Sequence, residues 1–255
     1  MDTPVDLSQN GYIATITINR PEKRNALSTE VVEALNNAFR TADASDARVI
    51  ILTGAGDKAF SAGGDLQKFL AENEKGPGRQ GGAFVALFET MAGLGKPVIG
   101  RINGHCLAGA FGIALACDML VAVDDAAFGT PEIRVGLWPM MISALIWRKV
   151  PRNVANEMMF TGRRYSGSEL QALGVVNQVV AREELDTTVN ALAEQLAGLP
   201  PQVIALGRRA LYAQQDMAFA DGLHFLEGQL REVLQTDDAR EGIRAFLEKR
   251  PPNFG

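Results

Sequence analysis

Glu132, Gly64 and Gly109 are residue types that suit chemistry on a carbonyl compound. Glu132 follows Pro131 in an otherwise apolar stretch of this 255-residue chain. A carboxyl in such surroundings loses hydration in its charged form, so its pKa rises toward neutrality, where it can take and return a proton. Gly64 and Gly109 each sit in a glycine-centred turn that follows a strand-like segment. Positions without a side chain let a ligand carbonyl reach the backbone. From about Gly109 the chain also reads as a small-residue helix with no polar side, and such a helix is buried. Its first-turn N–H groups lack intrahelical partners and the helix dipole adds positive charge there, which suits a developing oxyanion. Plainer readings stand beside these. The helix is then a Gly/Ala-rich core element packed closely on a neighbour, and Glu132 is a surface loop residue or an ion-pair partner of Arg134.

The elements that must position these residues alternate strand and helix over roughly the first 180 residues. Tyr12–Ile18 alternates and is β-branched, so it reads as a strand. Arg48–Thr53, Val98–Ile102 and Met119–Val123 read as buried strands, with Asn103-Gly104 turning the chain before Gly109. Ser28 or Thr29 caps a helix whose apolar face includes Leu35 and Phe39. Ala83–Leu94 is helical in pattern, Asp124–Thr130 is a short connection, and Met140–Val150 reads as a buried helix. Ala71–Gly82 is polar and glycine-rich and reads as a mobile surface loop. Ser166-Gly167-Ser168-Glu169 is a capping box, Gly174 stops that helix, and Val175–Val180 is a short strand. From Leu185 onward the chain reads as helices over 185–199, 201–216, 219–235 and 239–249, a subdomain packed on the core. No internal repeat of fixed period stands out.

The composition narrows the function classes. A net charge of −5 gives no reason to expect nucleic acid or an anionic membrane surface as partner, so an acidic ligand must be held by local cations. The two cysteines, Cys106 and Cys117, read as small core residues of a reducing compartment. With His105 and His224 they form no recognisable metal-ligand spacing. The polar, acidic N-terminus lacks the pattern of a signal peptide, and no run of about eighteen apolar residues exists to span a membrane. A cytoplasmic location is the expectation. Gly76-Pro77-Gly78-Arg79-Gln80-Gly81 has the letters of a dinucleotide fingerprint but follows no strand and contains a proline. Gly95-Lys96 lacks the rest of a phosphate loop, and no Gly-x-Ser-x-Gly elbow exists. Asp118 reads as a satisfied buried carboxylate.

Several segments in order resemble the enoyl-CoA hydratase/isomerase (crotonase) superfamily over nearly the whole chain. They are Asn19-Arg20-Pro21 with Asn25-Ala26-Leu27, Ala59 to Leu66, Asn103 to Asp118, Phe128 to Glu132, Thr161-Gly162 with Ala172 to Asn177, and Phe246 to Arg250. The resemblance implies an α/β fold, a spiral of repeated ββα units with a helical C-terminal region. The core with the acyl-CoA site would cover 1–195, and 196–255 would serve oligomerisation and CoA contact. It implies an acyl-CoA thioester substrate, no metal or redox cofactor, and assembly as homotrimers or homohexamers. Gly64 and Gly109 would supply the oxyanion-hole amides, and Glu132 the acid–base group. The adenine and phosphates of CoA would lie near Arg24, Ala26, Ala62, Asp65 and Leu66, joined from the tail by Phe246 and Lys249. The loop around Gly76–Gly82 would cover the acyl pocket. His105 stabilises the turn or contacts substrate.

One departure matters. The hydratase pattern has two glutamates, and the second falls at Gly112. Two-carboxylate hydration is therefore in doubt, whereas a 3,2 double-bond shift needs one carboxylate to remove a proton from C2 and return it at C4. Gly112 is also expected to leave room for a bulkier acyl group. Hydration and isomerisation stay open as a pair, beside hydrolase or decarboxylase chemistry and a catalytically silent acyl-CoA-binding homologue.

Overall fold

The computed structural model describes residues 3–73 and 80–254. Among these, ten strands form two sheets. The larger orders β1 (Val5–Asn10), β2 (Ile13–Ile18), β3 (Val49–Gly54), β5 (Val98–Ile102), β7 (Met119–Val123) and β10 (Gln178–Val180). The smaller orders β4 (Ala59–Ser61), β6 (His105–Leu107), β8 (Ala127–Gly129) and β9 (Arg164–Ser166). β3, β5 and β7 run parallel in the first sheet, and β4, β6 and β8 run parallel in the second. Each turn of the chain thus lays one strand in each sheet and then a helix, which is a spiral of ββα units.

The helices are α1 (Thr29–Ala44), α2 (Leu66–Asn73), α3 (Gln80–Gly93), α4 (Gly109–Ala116), α5 (Met140–Lys149), α6 (Arg152–Thr161), α7 (Gly167–Ala172), α8 (Leu185–Ala197), α9 (Pro201–Gln214), α10 (Phe219–Leu234) and α11 (Asp237–Glu248). β2 alternates buried and half-buried residues, whereas all six residues of β3 are buried, as expected for a central parallel strand. α8 lies across β3, β5 and β7. α4 is buried from Ala110 to Ala116. At α7, Ser166 and Glu169 form the expected capping box. No helix among the described residues is long and apolar enough to cross a membrane.

The tail helices join the core through a buried charge cluster. Arg208 on α9 donates to Asp118 at 2.8 Å and to the carbonyls of Leu94 and Met91, and Tyr212 donates to Asp118 at 2.9 Å. The Asp118 carboxylate also accepts the Val98 amide. Arg208 therefore caps the carbonyl end of α3 and neutralises Asp118 at once.

Several expectations need correction. β1, in a stretch to which the sequence assigned no element, pairs antiparallel with β2 as a mostly polar, exposed edge strand. β8 lies inside the stretch read as a connection, and the strand expected over 175–180 is confined to Gln178–Val180. α5 is not buried all round: Ile142 and Ile146 are, while Met140 is 67% and Trp147 44% exposed. The polar stretch 71–82 is helical at both ends, in α2 and α3. Its middle, 74–79, lies outside the described residues, and with it most of the glycine-rich segment expected to cover the acyl pocket.

Candidate active site

The site forms where β4, β6 and β8 end side by side. Each strand is followed at its C-terminal end by one of the expected elements: Ala62-Gly63-Gly64, Ala108-Gly109, and Thr130-Pro131-Glu132. The first two turns touch. A Cβ built on Gly63 would lie 2.5 Å from the Ala108 Cβ and 2.9 Å from the Leu107 carbonyl oxygen, and Gly63 has φ +93°. Only glycine meets both demands. Ala108 takes φ 54°, ψ −133° as the residue preceding α4, a costly conformation for a residue with a Cβ. Its amide is anchored to the Gly129 carbonyl at 2.8 Å, which ties the turn to the end of β8.

The N–H groups of Gly64 and Gly109 have no acceptor among the described residues. Gly64 forms a parallel bridge with Leu27, and a Cβ on Gly109 would lie 3.7 Å from the Leu27 side chain and 2.9 Å from Phe84. The two glycines thus border the same buried leucine.

Glu132 sits in a 3-10 turn, Pro131–Val135, that carries it away from the strand end. Its Oε2 is buried and has no hydrogen-bond partner among the described residues. Burial pushes its carboxyl up to about 7, against a small opposing effect of its own amide N–H. Arg134 is not its ion-pair partner; the Arg134 side chain lies against Gly162, whose built Cβ would be 3.0 Å from the Arg134 Nε. At neutral pH this carboxyl is poised between its two protonation states, as general acid–base work requires.

Arg24, Ala26, Ala62, Asp65 and Leu66 come together. Residues 24–27 run beside 62–65 as a short parallel ribbon: Ala62 donates to Arg24 O at 2.9 Å, Leu27 to Gly63 O at 2.8 Å, and Asp65 to Leu27 O at 2.8 Å. Arg24 and Asn25 both take left-handed conformations. The buried Asn25 side chain holds them there by bonding Arg20 N, Ala55 O and Ala59 O. The Asp65 carboxylate is taken by the Lys68 amide and by Arg20 at 3.5 Å. Leu66 is 46% exposed. Phe246 and Lys249 belong to a different part of the chain: they lie on and just after α11, which packs against α9 and α10, and Phe246 is 81% exposed.

His105 stands at the opposite end of β6 from Gly109, where its Nδ1 accepts the Ala127 amide. There it lines a polar cavity of about 420 Å³ with Arg24, Lys58, Asp57, Asp125 and Arg182. Arg182 grips Asp125 with two bonds and the Asn103 carbonyl with a third. His105 is thus a tie between strands, not a contact to the glycine turns.

Gly112 lies one helical turn beyond Gly109 on the same face of α4. The space beside it is not open. A Cβ built there would lie 2.2 Å from Ile142 Cγ2, 2.6 Å from Ile142 Cβ and 3.4 Å from Phe88 Cζ. The expectation of extra room at Gly112 is therefore wrong, because α5 delivers a branched side chain into that volume. Neither Ile142 nor Phe88 stood out in sequence; each is an ordinary apolar residue of a helix, and only helix packing brings it to α4. Both cysteines are unpaired and buried, with thiols pushed up by burial, Cys117 to about 12, so neither is a nucleophile.

Residues 8–255 match the family model for enoyl-CoA hydratase/isomerase. The chain belongs to the enoyl-CoA hydratase/isomerase family. A carnitinyl-CoA dehydratase of Salmonella paratyphi B is 39% identical over 99% of this chain and 98% of its own length. The structure of an enoyl-CoA hydratase from Mycobacterium smegmatis superposes with a TM-score of 0.93 at 31% identity, covering 99% of each chain. That of a Bacillus anthracis enoyl-CoA hydratase gives 0.93 at 31%, covering 98% of each. The spiral of ββα units is the crotonase fold, and the chain is an acyl-CoA enzyme of the hydratase/isomerase type.

Proposed function

We propose that this enzyme forms an enolate from an acyl-CoA thioester and moves a proton with one carboxylate, Glu132. The thioester oxygen is held by the amides of Gly64 and Gly109. Each such donor is worth about 3 kcal/mol in the transition state. The observation that carries the reading is the buried, unpartnered Oε2 of Glu132, with its carboxyl at about 7, in the turn that follows β8. The reaction best supported is a 3,2 double-bond shift: Glu132 takes a proton from C2, the electron pair delocalises through the enolate, and the same proton returns at C4. It uses one carboxylate, and Gly112 supplies no second.

The 39% identical relative named carnitinyl-CoA dehydratase favours a second reading, elimination of water from a β-hydroxyacyl-CoA. Glu132 would then take the Cα proton and hand it to the departing hydroxyl. In both readings CoA lies along the ribbon of residues 24–27 and 62–66, no metal or redox cofactor takes part, and the tail helices assemble the chain into trimers or pairs of trimers. Two unpaired buried cysteines support a reducing compartment such as the cytoplasm.

Glu132→Gln tests the core of the proposal. Turnover of 3-enoyl-, 2-enoyl- and β-hydroxyacyl-CoA esters, followed by mass spectrometry, is expected to fall by about 10²–10⁴-fold. Binding of an acyl-CoA, followed by calorimetry, is expected to stay within a few-fold of the parent. Retained turnover removes Glu132 from the mechanism.

A further inference from the structure

We infer that Ile142, seated against Gly112, determines which reaction the site performs, because it fills the place from which water would be delivered to the substrate. The inference rests on the proposed role of Glu132 and goes beyond it.

The geometry begins at Gly109. Three residues along a helix rise about 4.5 Å, so, with the thioester oxygen held at the Gly109 amide as proposed, position 112 stands one turn further along the same side of α4. Any group there would lie along α4, whereas Glu132 enters from the end of β8. On α4 that face carries no polar side chain at these two positions: 109 and 112 are both glycine. It is covered from two other helices. Phe84 and Phe88, one turn apart on α3 with ring centroids 5.8 Å apart, cover the side of Gly109 and Gly112. Ile142 of α5 closes the rest, its Cγ2 only 2.2 Å from where a Gly112 Cβ would stand. Ile142 is 4% exposed and Phe84 5%. A wall of this kind offers water no hydrogen-bond partner, and a site that would hold a water needs two or more.

Hydration adds water across C2=C3, with hydroxide to C3 and a proton to C2. Each catalytic cycle consumes one water, which must be oriented near C3. The double-bond shift returns the proton it removed and consumes none. Glycine at 112 and isoleucine at 142 are therefore one device: the absent side chain makes space, and the branched one occupies it with carbon. Replacing either alone spoils the fit, while replacing both in the compensating sense should restore it.

The experiment compares the parent enzyme with Gly112→Glu, Ile142→Ala and the double variant, with Glu132→Gln in parallel. Thermal unfolding is read first, without substrate. Gly112→Glu alone is expected to lower Tm by about 5 °C or more, since a side chain is forced into filled space. Adding Ile142→Ala is expected to recover at least half of that loss. Mass spectrometry of products from 3-enoyl- and 2-enoyl-CoA is read second. Ile142→Ala is expected to keep the double-bond shift within about tenfold, and the double variant to raise the hydrated fraction, a gain of one water in mass, at least tenfold over the parent. If Gly112→Glu folds as stably as the parent, or the pair shows no thermal coupling, the packing claim is overturned. If coupling is present but the double variant hydrates no more than the parent, the claim about water is overturned. If Glu132→Gln keeps full turnover, the proposed function fails, whatever the other variants do.

Discussion

Glu132 holds a largely buried carboxyl with no cation paired to it among the described residues, and burial lifts its pKa from 4.5 to about 7. At 1.36 kcal/mol per unit, ionising it in the folded protein costs about 3 kcal/mol relative to the unfolded chain. The sign follows from the raised value: the folded state binds this proton more tightly. Stability from this group is fully present below pH 4.5, declines as pH rises to about 7, and is flat above. Glu132→Gln lacks the titration. It is expected to melt about 5 °C or more above the parent at pH 8 and with little difference at pH 4.5. In the parent, kcat/KM for proton removal should rise through about pH 7 and level off, because the base must be ionised. A variant no more stable than the parent at pH 8 would show that Glu132 is hydrated in solution. Glu132, Gly64 and Gly109 stood out in sequence as candidates beside plainer readings, and the structure gives Glu132 a buried, unpartnered Oε2 and the two glycine amides no acceptor among the described residues. Ile142 and Phe88 did not stand out, because nothing within α3 or α5 marks which apolar residue will meet α4.

At the level of elements, the site is a contact between two turns, each shaped by the other. Gly63 must lack a side chain because Ala108 Cβ is there, and Ala108 is held in its costly conformation by the bond from its amide to Gly129. Gly63→Ala meets both a positive φ and a clash. It is expected to cost about 1–3 kcal/mol from the backbone alone and to lower kcat by about 10²-fold or more by displacing the Gly64 amide. Thermal melts and steady-state kinetics check it. A stable variant with parent-like kcat would show that the Gly64 amide takes no part. The long strands β2, β3, β5 and β7 were readable because alternation or an unbroken apolar run marks them. The three-residue strands β4, β6 and β8 were not: three residues hold no period, and each becomes a strand only by pairing with a partner far along the chain. The ββα repeat was hidden for a related reason. β3, β5 and β7 begin at residues 49, 98 and 119, so the repeat has no constant length, and insertions such as α2 with α3 fall within one turn of the spiral.

For the whole molecule, α10 poses a question that a single chain does not answer. Phe219, Leu223, Leu226, Leu230 and Leu234 recur at helical spacing along one side, and they are 83%, 53%, 37%, 56% and 53% exposed. Nearby on α11, Phe246 and Leu247 are 81% and 74% exposed. The inner side of α10 is already used against α9. An apolar stripe of this extent in water costs free energy that burial would recover, at about 1.5–3 kcal/mol per large side chain. Copies of the same chain, meeting through their tail helices, are the expected cover. Leu223→Glu combined with Leu230→Glu places two charges in the middle of the stripe, at sites whose exposure in one chain means that monomer folding should not suffer. The parent is expected to sediment at three or six times the chain mass, and the double variant at the chain mass with an unchanged far-UV circular dichroism spectrum. A parent that sediments as a monomer would remove the need for any partner on α10. A variant that keeps the parent's mass would move the interface to another face.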